Sequence, residues 1–168
     1  MLISTCGNRF SESYNIENKN SVIISRVPFI KQEYQYCGPA ALTSVFMYYG
    51  DHINQDEVAR HVYTDSLNGS LITDMKYYAV QLGYDVEIEN GDADLLRSYI
   101  DKNVPVILLV DRGLSVVTIQ HYYVVYGYVP GDNLFIIHDG EKAKRVIRQD
   151  DLDKEWKKMN RLMLVIQK

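Results

Sequence analysis

Cys37 stands immediately before Gly38 and Pro39 in the stretch YQYCGPAALTSVFMYYG, at the entrance of an apolar segment. Leu42, Val45, Phe46 and Tyr49 recur there at spacings of three and four and Gly50 ends the run, which predicts a helix with Cys37 at its N-terminal mouth. Unpaired amides and the helix dipole at such a mouth favour an anion, so a thiol placed there is expected to ionise more readily. The thiolate is the nucleophile. Gly38 leaves room for the close approach of a substrate, and Pro39 suits a first turn, where its missing amide would have been unpaired anyway. The competing explanation is a small buried hydrophobe, the ordinary fate of a lone cysteine.

A cysteine nucleophile needs a base within hydrogen-bond reach, a group that orients the base, and donors for the developing oxyanion. Of the four histidines, His52 follows the helix stop, an exposed position, and His61 lies beside Arg60 on a helix face, where a surface or half-buried histidine is ordinary. His121 opens the run HYYVVYGYV, and His138 precedes Asp139 at the end of the run LFIIH. Pro130, Gly131, Asp132 and Asn133 between the two runs predict a tight turn and an antiparallel hairpin, which brings the start of one strand near the end of the other. His121 and Asp139 are then expected within about 10 Å along the backbone. His138 alternates with Asp139 in facing, so only one of the two points into a cleft. Gln32, in the loop before Cys37, is a candidate oxyanion donor together with the Cys37 amide, and Gln35 is its rival.

These residues must be positioned by one domain. The chain has 168 residues, 46% hydrophobic and 24% charged, which fits a single core. A net charge of −4 with no dense basic stretch argues against nucleic acid as a partner. The longest apolar run, Val104 to Val110, contains Pro105 and is far shorter than the roughly 20 residues of a membrane-spanning helix. Two cysteines without a CxxC are too few for a disulfide framework, and no His, Cys or carboxylate cluster has metal-ligand spacing, so neither metal nor cofactor is expected. No GxSxG motif supports a serine hydrolase.

Residues 1–21 are polar and aperiodic and read as a flexible arm, leaving 22–168 as the folded domain. Val22 to Phe29 is a short strand that exits at Pro28. Further helices are predicted in DEVARHVY behind Asn54 or Asp56, from Ser70 or Thr73 to Leu82, and in ADLLRSYIDKN behind Asp92 or Asp94. Beyond Asn103 the pattern turns to strands at Val104–Val110, Val116–Val129, Leu134–His138, Ala143–Ile147 and Leu162–Ile166, with a short helix at Asp150–Met159. Helices first and an antiparallel sheet afterwards is an α+β architecture with a cleft between the halves.

The stretch VPFIKQEYQYCGPAAL, Val27 to Leu42, resembles the active-site segment of the papain-like C39 and C39-like cysteine peptidases, in which a glutamine precedes a Cys-Gly pair that opens a helix. HYYVVYGY resembles the histidine segment of that family and IIHDG its aspartate segment, although Asp139-Gly140 stands where the family commonly has Asp-Pro. The intervals between these segments are of the family's order. The resemblance implies a papain-like fold, Cys37 as nucleophile, His121 as general base and then acid, Asp139 as orienting group and Gln32 as oxyanion donor. It also implies a peptide or protein substrate. Familiar C39 domains are attached to exporters and cut leader peptides after a double glycine. This sequence carries neither a membrane domain nor a Walker loop, so it reads as a free-standing version whose exporter partner would be encoded separately.

Two other functions fit the same scaffold: an acyl or peptidyl transferase, since phytochelatin-synthase-like proteins have a similar Cys-Gly segment, and a peptide-binding domain without turnover. Leu2 to Cys6 (LISTC) resembles the end of a bacterial lipoprotein signal. If the start is clipped, Cys6 is a lipid anchor, the arm its tether and the location extracytoplasmic; otherwise Cys6 is incidental and the location cytoplasmic. Finally, 14 tyrosines stand against four phenylalanines and one tryptophan. Tyr34 and Tyr36 flank Cys37, and Tyr122, Tyr123, Tyr126 and Tyr128 crowd the His121 run; either alternate members pack the sheet, or some of these rings line a groove for an extended peptide.

Overall fold

A computed structural model of the chain describes residues 20–168. The polar arm and Cys6 lie outside the described residues, apart from its last two positions. β1 (Val22–Ile23) leads through a loop into α1 (Cys37–Tyr48), the helix expected from the leucine, valine and phenylalanine spacing. Every residue of α1 from Gly38 to Phe46 is buried, so the helix is covered on all sides and runs through the interior. The close packing falls on Gly38: a Cβ there would lie 2.8 Å from the Ser70 Cβ. The space that glycine leaves is therefore filled by Ser70, where the sequence suggested a substrate.

α2 (Gln55–Val62) begins at Asn54, whose side chain accepts from the Glu57 amide. A small ribbon, β2 (Tyr63–Thr64) and β3 (Gly69–Ser70), then leads into α3 (Ile72–Gln81). Neither Ser70 nor Thr73 caps α3; Ser70 is paired with Tyr63 in the ribbon and Leu71 takes the N-cap position without a side-chain bond. β4 (Asp85–Asn90) was not anticipated, because DVEIEN offers a short alternation dominated by charge. It is an edge strand, where exposed acidic side chains discourage further pairing. α4 (Ala93–Asp101) starts at Asp92, which accepts from the Leu95 amide.

β5 (Val106–Asp111), β6 (Gln120–Val129), β7 (Leu134–His138), β8 (Arg145–Arg148), α5 (Gln149–Trp156) and β9 (Leu162–Gln167) complete the chain. The sheet is antiparallel with the order β4-β9-β5-β6-β7-β8, and β1 pairs with Tyr128 and Gly127 of β6 beyond the end of β5. β6 and β7 form the expected hairpin, with a bulge between Val125 and Gly127. Residues 116–119 are not strand: Asp111 Oδ1 accepts from the amides of Gly113 and Ile119, at 2.8 Å each, and closes the intervening chain into a loop. This loop leaves Leu114 and Val116 exposed.

Adjacent tyrosines on β6 show how the layers are arranged. The Tyr122 hydroxyl donates to the Ser70 carbonyl and its ring lines a small cavity with Ala40, Ala41 and Ser44 of α1, whereas Tyr123 donates to Glu155 of α5. Successive strand residues point to opposite faces, so α1 and α5 sandwich the sheet. α4 sits with α5, its Arg97 lying over the Phe135 ring and donating to Gln149. The fold is α+β, with helices on both faces of the sheet. No helix among the described residues is long and apolar enough to cross a membrane.

Candidate active site

The N-terminus of α1, the start of β6 and the turn after β7 meet at one end of the sheet. Between them is a cleft of about 730 Å³ lined by residues that include Gln32, Cys37, Arg112, His121 and Gly140. Three of the four side chains singled out in the sequence thus share one cavity, and the fourth residue, Asp139, meets His121 through its backbone carbonyl.

His121 is buried, and its Nε2 lies 2.6 Å from the Asp139 carbonyl oxygen. A carbonyl can only accept, so Nε2 carries the proton and Nδ1 of the neutral ring keeps its lone pair. Burial holds the His121 pKa below its ordinary value; the Asp139 carbonyl pulls upward, and Arg112 adds to the lowering.

Cys37 departs from the sequence expectation of easy ionisation. Burial lifts its pKa above the ordinary thiol value, while the amides of Tyr122, Gly38 and Cys37 itself, together with Arg112, pull it down without cancelling the rise. Burial thus raises the thiol pKa and lowers that of the imidazole, and Arg112 in the same cleft adds to the lowering of the ring.

The Asp139 carboxylate is also placed differently from expectation. Its Oδ1 accepts from the amides of Glu141 (2.9 Å) and Lys142 (2.5 Å), and its Oδ2 meets the Arg145 guanidinium at 3.3 Å. The atom that meets the histidine is the main-chain oxygen. Gly140 has φ +80°, which proline cannot adopt, and a Cβ there would lie 2.3 Å from Gln32 Oε1. Glycine in place of proline thus lets the Gln32 side chain lie against the turn, while the Gln32 amide donates to the Gly140 carbonyl at 2.8 Å.

Gln32 Oε1 is buried and has no hydrogen-bond partner among the described residues. Gln35 also lines the cleft, but its Oε1 accepts from the Tyr63 hydroxyl at 2.8 Å and its backbone has φ +62°. His52 and His61 are exposed, as expected, and His61 stacks on Tyr78. His138 is buried against α1, away from the cleft lining. The tyrosine expectation survives only at Tyr34, which is 87% exposed on the cleft; Tyr122, Tyr123 and Tyr126 are core.

Two charged cleft residues that face each other are among those that escaped the sequence reading. Arg112 and Glu141 form an ion pair at 3.3 Å across the cleft wall. Their only sequence signal is position: Arg112 follows the apolar β5, and Glu141 follows the Asp-Gly turn.

A comparison with curated proteins finds no match. Among solved structures, the chain is similar to the peptidase domain of Streptococcus ComA, a bi-functional ABC transporter involved in quorum sensing, at 26% identity and a TM-score of 0.69 over 84% of this chain and 98% of that one. A C39-like peptidase candidate from Bacillus anthracis shares the fold at 17% identity and a TM-score of 0.72, over 89% of this chain and 98% of that one. So does a double glycine motif protease from the AMS/PCAT transporter, determined with its leader peptide, at 19% identity and a TM-score of 0.67, over 83% of this chain and 90% of that one. The model of the peptidase C39-like family matches residues 24–164, nearly all of the described chain, and the chain belongs to that family.

Proposed function

We propose that this chain is a thiol peptidase with residues 22–168 as its catalytic domain. The observation that carries the reading is the pairing, in one cleft, of Cys37 with a histidine whose Nε2 is committed to the Asp139 carbonyl, which leaves Nδ1 as the base. In the proposed reaction His121 Nδ1 takes the thiol proton as Sγ attacks a peptide carbonyl carbon. The oxyanion is held by Gln32 and the Cys37 amide. His121 then returns the proton to the departing amine, leaving an acyl-enzyme. Water, deprotonated by the same ring, releases the acid and restores the thiol.

The substrate is a peptide or a peptide segment of a larger protein. Cleavage of a leader or secreted peptide, in association with an exporter, is favoured by the family and by the similarity to transporter peptidase domains.

The test uses a panel of peptides incubated with the wild type and with Cys37→Ala. Turnover should fall to background in the variant while its unfolding midpoint stays near that of the wild type; full turnover without the thiol would refute the mechanism. An added amine acceptor separates hydrolysis from transfer, since a peptidase releases the free acid and a transferase yields the amide.

A further inference from the structure

We propose that Arg145 is a positioning residue for His121, acting through the turn at Asp139. The proposal rests on the thiol peptidase reading above and adds to it a residue outside the cleft.

The carboxylate of Asp139 is 4% exposed, and its hydrogen bonds all lead away from the histidine ring: Oδ1 to the amides of Glu141 and Lys142, Oδ2 to Arg145. What it fixes is the shape of the turn, and with it the direction of the Asp139 carbonyl that meets His121 Nε2. Arg145 supplies the counter-charge. Its Nη1 lies 3.3 Å from Asp139 Oδ2 and also 3.3 Å from the Tyr123 hydroxyl, and its guanidinium covers the Tyr123 ring at 5.7 Å. Tyr123 is buried, donates to Glu155 on α5 at 2.8 Å, and meets the His121 ring edge-on at 5.5 Å between centroids.

The imidazole is therefore held at two places, its Nε2 by a carbonyl and its ring by a tyrosine, and both supports converge on Arg145. Without the guanidinium, a buried carboxylate would lack its counter-charge, and the turn would rearrange to hydrate it. The carbonyl would shift and the ring would lose its alignment on the thiol. Displacement of a reacting group by about 1 Å costs up to about 100-fold in rate. Arg145 does not line the cleft, so substrate binding should be spared.

The experiment measures kcat and KM on a cleaved peptide, the rate of Cys37 alkylation by iodoacetamide, and the unfolding midpoint for Arg145→Met, Arg145→Lys and Asp139→Asn. Arg145→Met is expected to lower kcat about tenfold with KM within about twofold. Arg145→Lys should recover most of the loss, because an ammonium still neutralises Oδ2. Asp139→Asn should resemble Arg145→Met, since an amide oxygen can still receive the turn amides.

Wild-type kcat in folded Arg145→Met would overturn the proposal. So would a loss of about 10⁴-fold in Asp139→Asn with Arg145→Met unaffected, the pattern of a carboxylate acting directly on the ring. If Arg145→Met does not fold, Tyr123→Phe keeps the ring and removes only the hydroxyl link; a severalfold kcat loss supports the network and an unchanged kcat refutes it. Failure of the peptidase reading shows separately, as turnover that survives Cys37→Ala.

Discussion

His121 and His138 lie on neighbouring strands, are each 5% exposed, and each donate Nε2–H to a main-chain carbonyl, of Asp139 and of Val27 respectively. Burial lowers the pKa of both. They differ at the other nitrogen. His138 Nδ1 accepts the Lys144 amide at 3.3 Å, and its ring lies between Phe29 and Tyr126, at 5.4 and 4.3 Å. His121 lines the cleft, and no hydrogen bond from the described residues reaches its Nδ1. A buried histidine with both nitrogens spent is architecture; one with a lone pair to spare on a cleft that a thiol also lines has the chemistry a proton transfer needs.

The contrast breaks most sharply on removal of the spare lone pair. His121→Ala is expected to lower kcat/KM by about 10³-fold, within the range for a lost general base, and to slow iodoacetamide labelling of Cys37. The same distinction separates the two glutamines. Gln32 Oε1 has no hydrogen-bond partner among the described residues, whereas Gln35 Oε1 accepts from Tyr63. Gln32→Ala should therefore cost about 10²-fold in kcat with little change in KM, the signature of a donor used in the transition state. Gln35→Ala should cost under about tenfold, and a reversed order in the steady-state kinetics would exchange their roles.

His138→Leu is expected to act on stability. The Val27 carbonyl and the Lys144 amide would lose their partners at a cost of about 1–3 kcal/mol in urea unfolding, with kcat of the folded fraction nearly unchanged. A kcat loss comparable to that of His121→Ala would erase the distinction between the two rings.

Much of this arrangement could be read from residue order. The α1 spacing and its Gly50 stop placed Cys37, and the Pro-Gly-Asp-Asn turn paired the His121 and His138 strands. The details that escaped depend on backbone geometry. A single bulge between Val125 and Gly127 sets the register that lets His121 meet the main-chain oxygen of Asp139, and apolar alternation does not report a bulge. The 116–119 segment reads as strand by composition, yet the Asp111 carboxylate collects its amides into a loop. The thiol was expected to ionise easily because a helix mouth is visible in sequence, whereas the burial that outweighs it is tertiary. The tyrosines misled for a related reason: the Tyr122 and Tyr123 hydroxyls find partners within the fold, on Ser70 and Glu155, so an amphipathic ring did not require a wet groove.

The smallest expected effect is the dependence of stability on pH. Both histidines have folded-state pKa values below the ordinary 6.5, so the unfolded chain takes up protons first as the solution is acidified. Their contribution is complete above about pH 6.5 and is lost as pH falls from there through the depressed folded values. Asp51, Asp111 and Asp153 have pKa values lowered from an already acidic ordinary value, so their losses fall at lower pH. Urea midpoints between pH 7.5 and 5.5 should decline in the wild type and decline less steeply in His138→Leu, whose remaining slope belongs to His121. An unchanged slope in that variant would mean that the saturated ring does not resist protonation, and the feature separating it from His121 would then be cleft access alone.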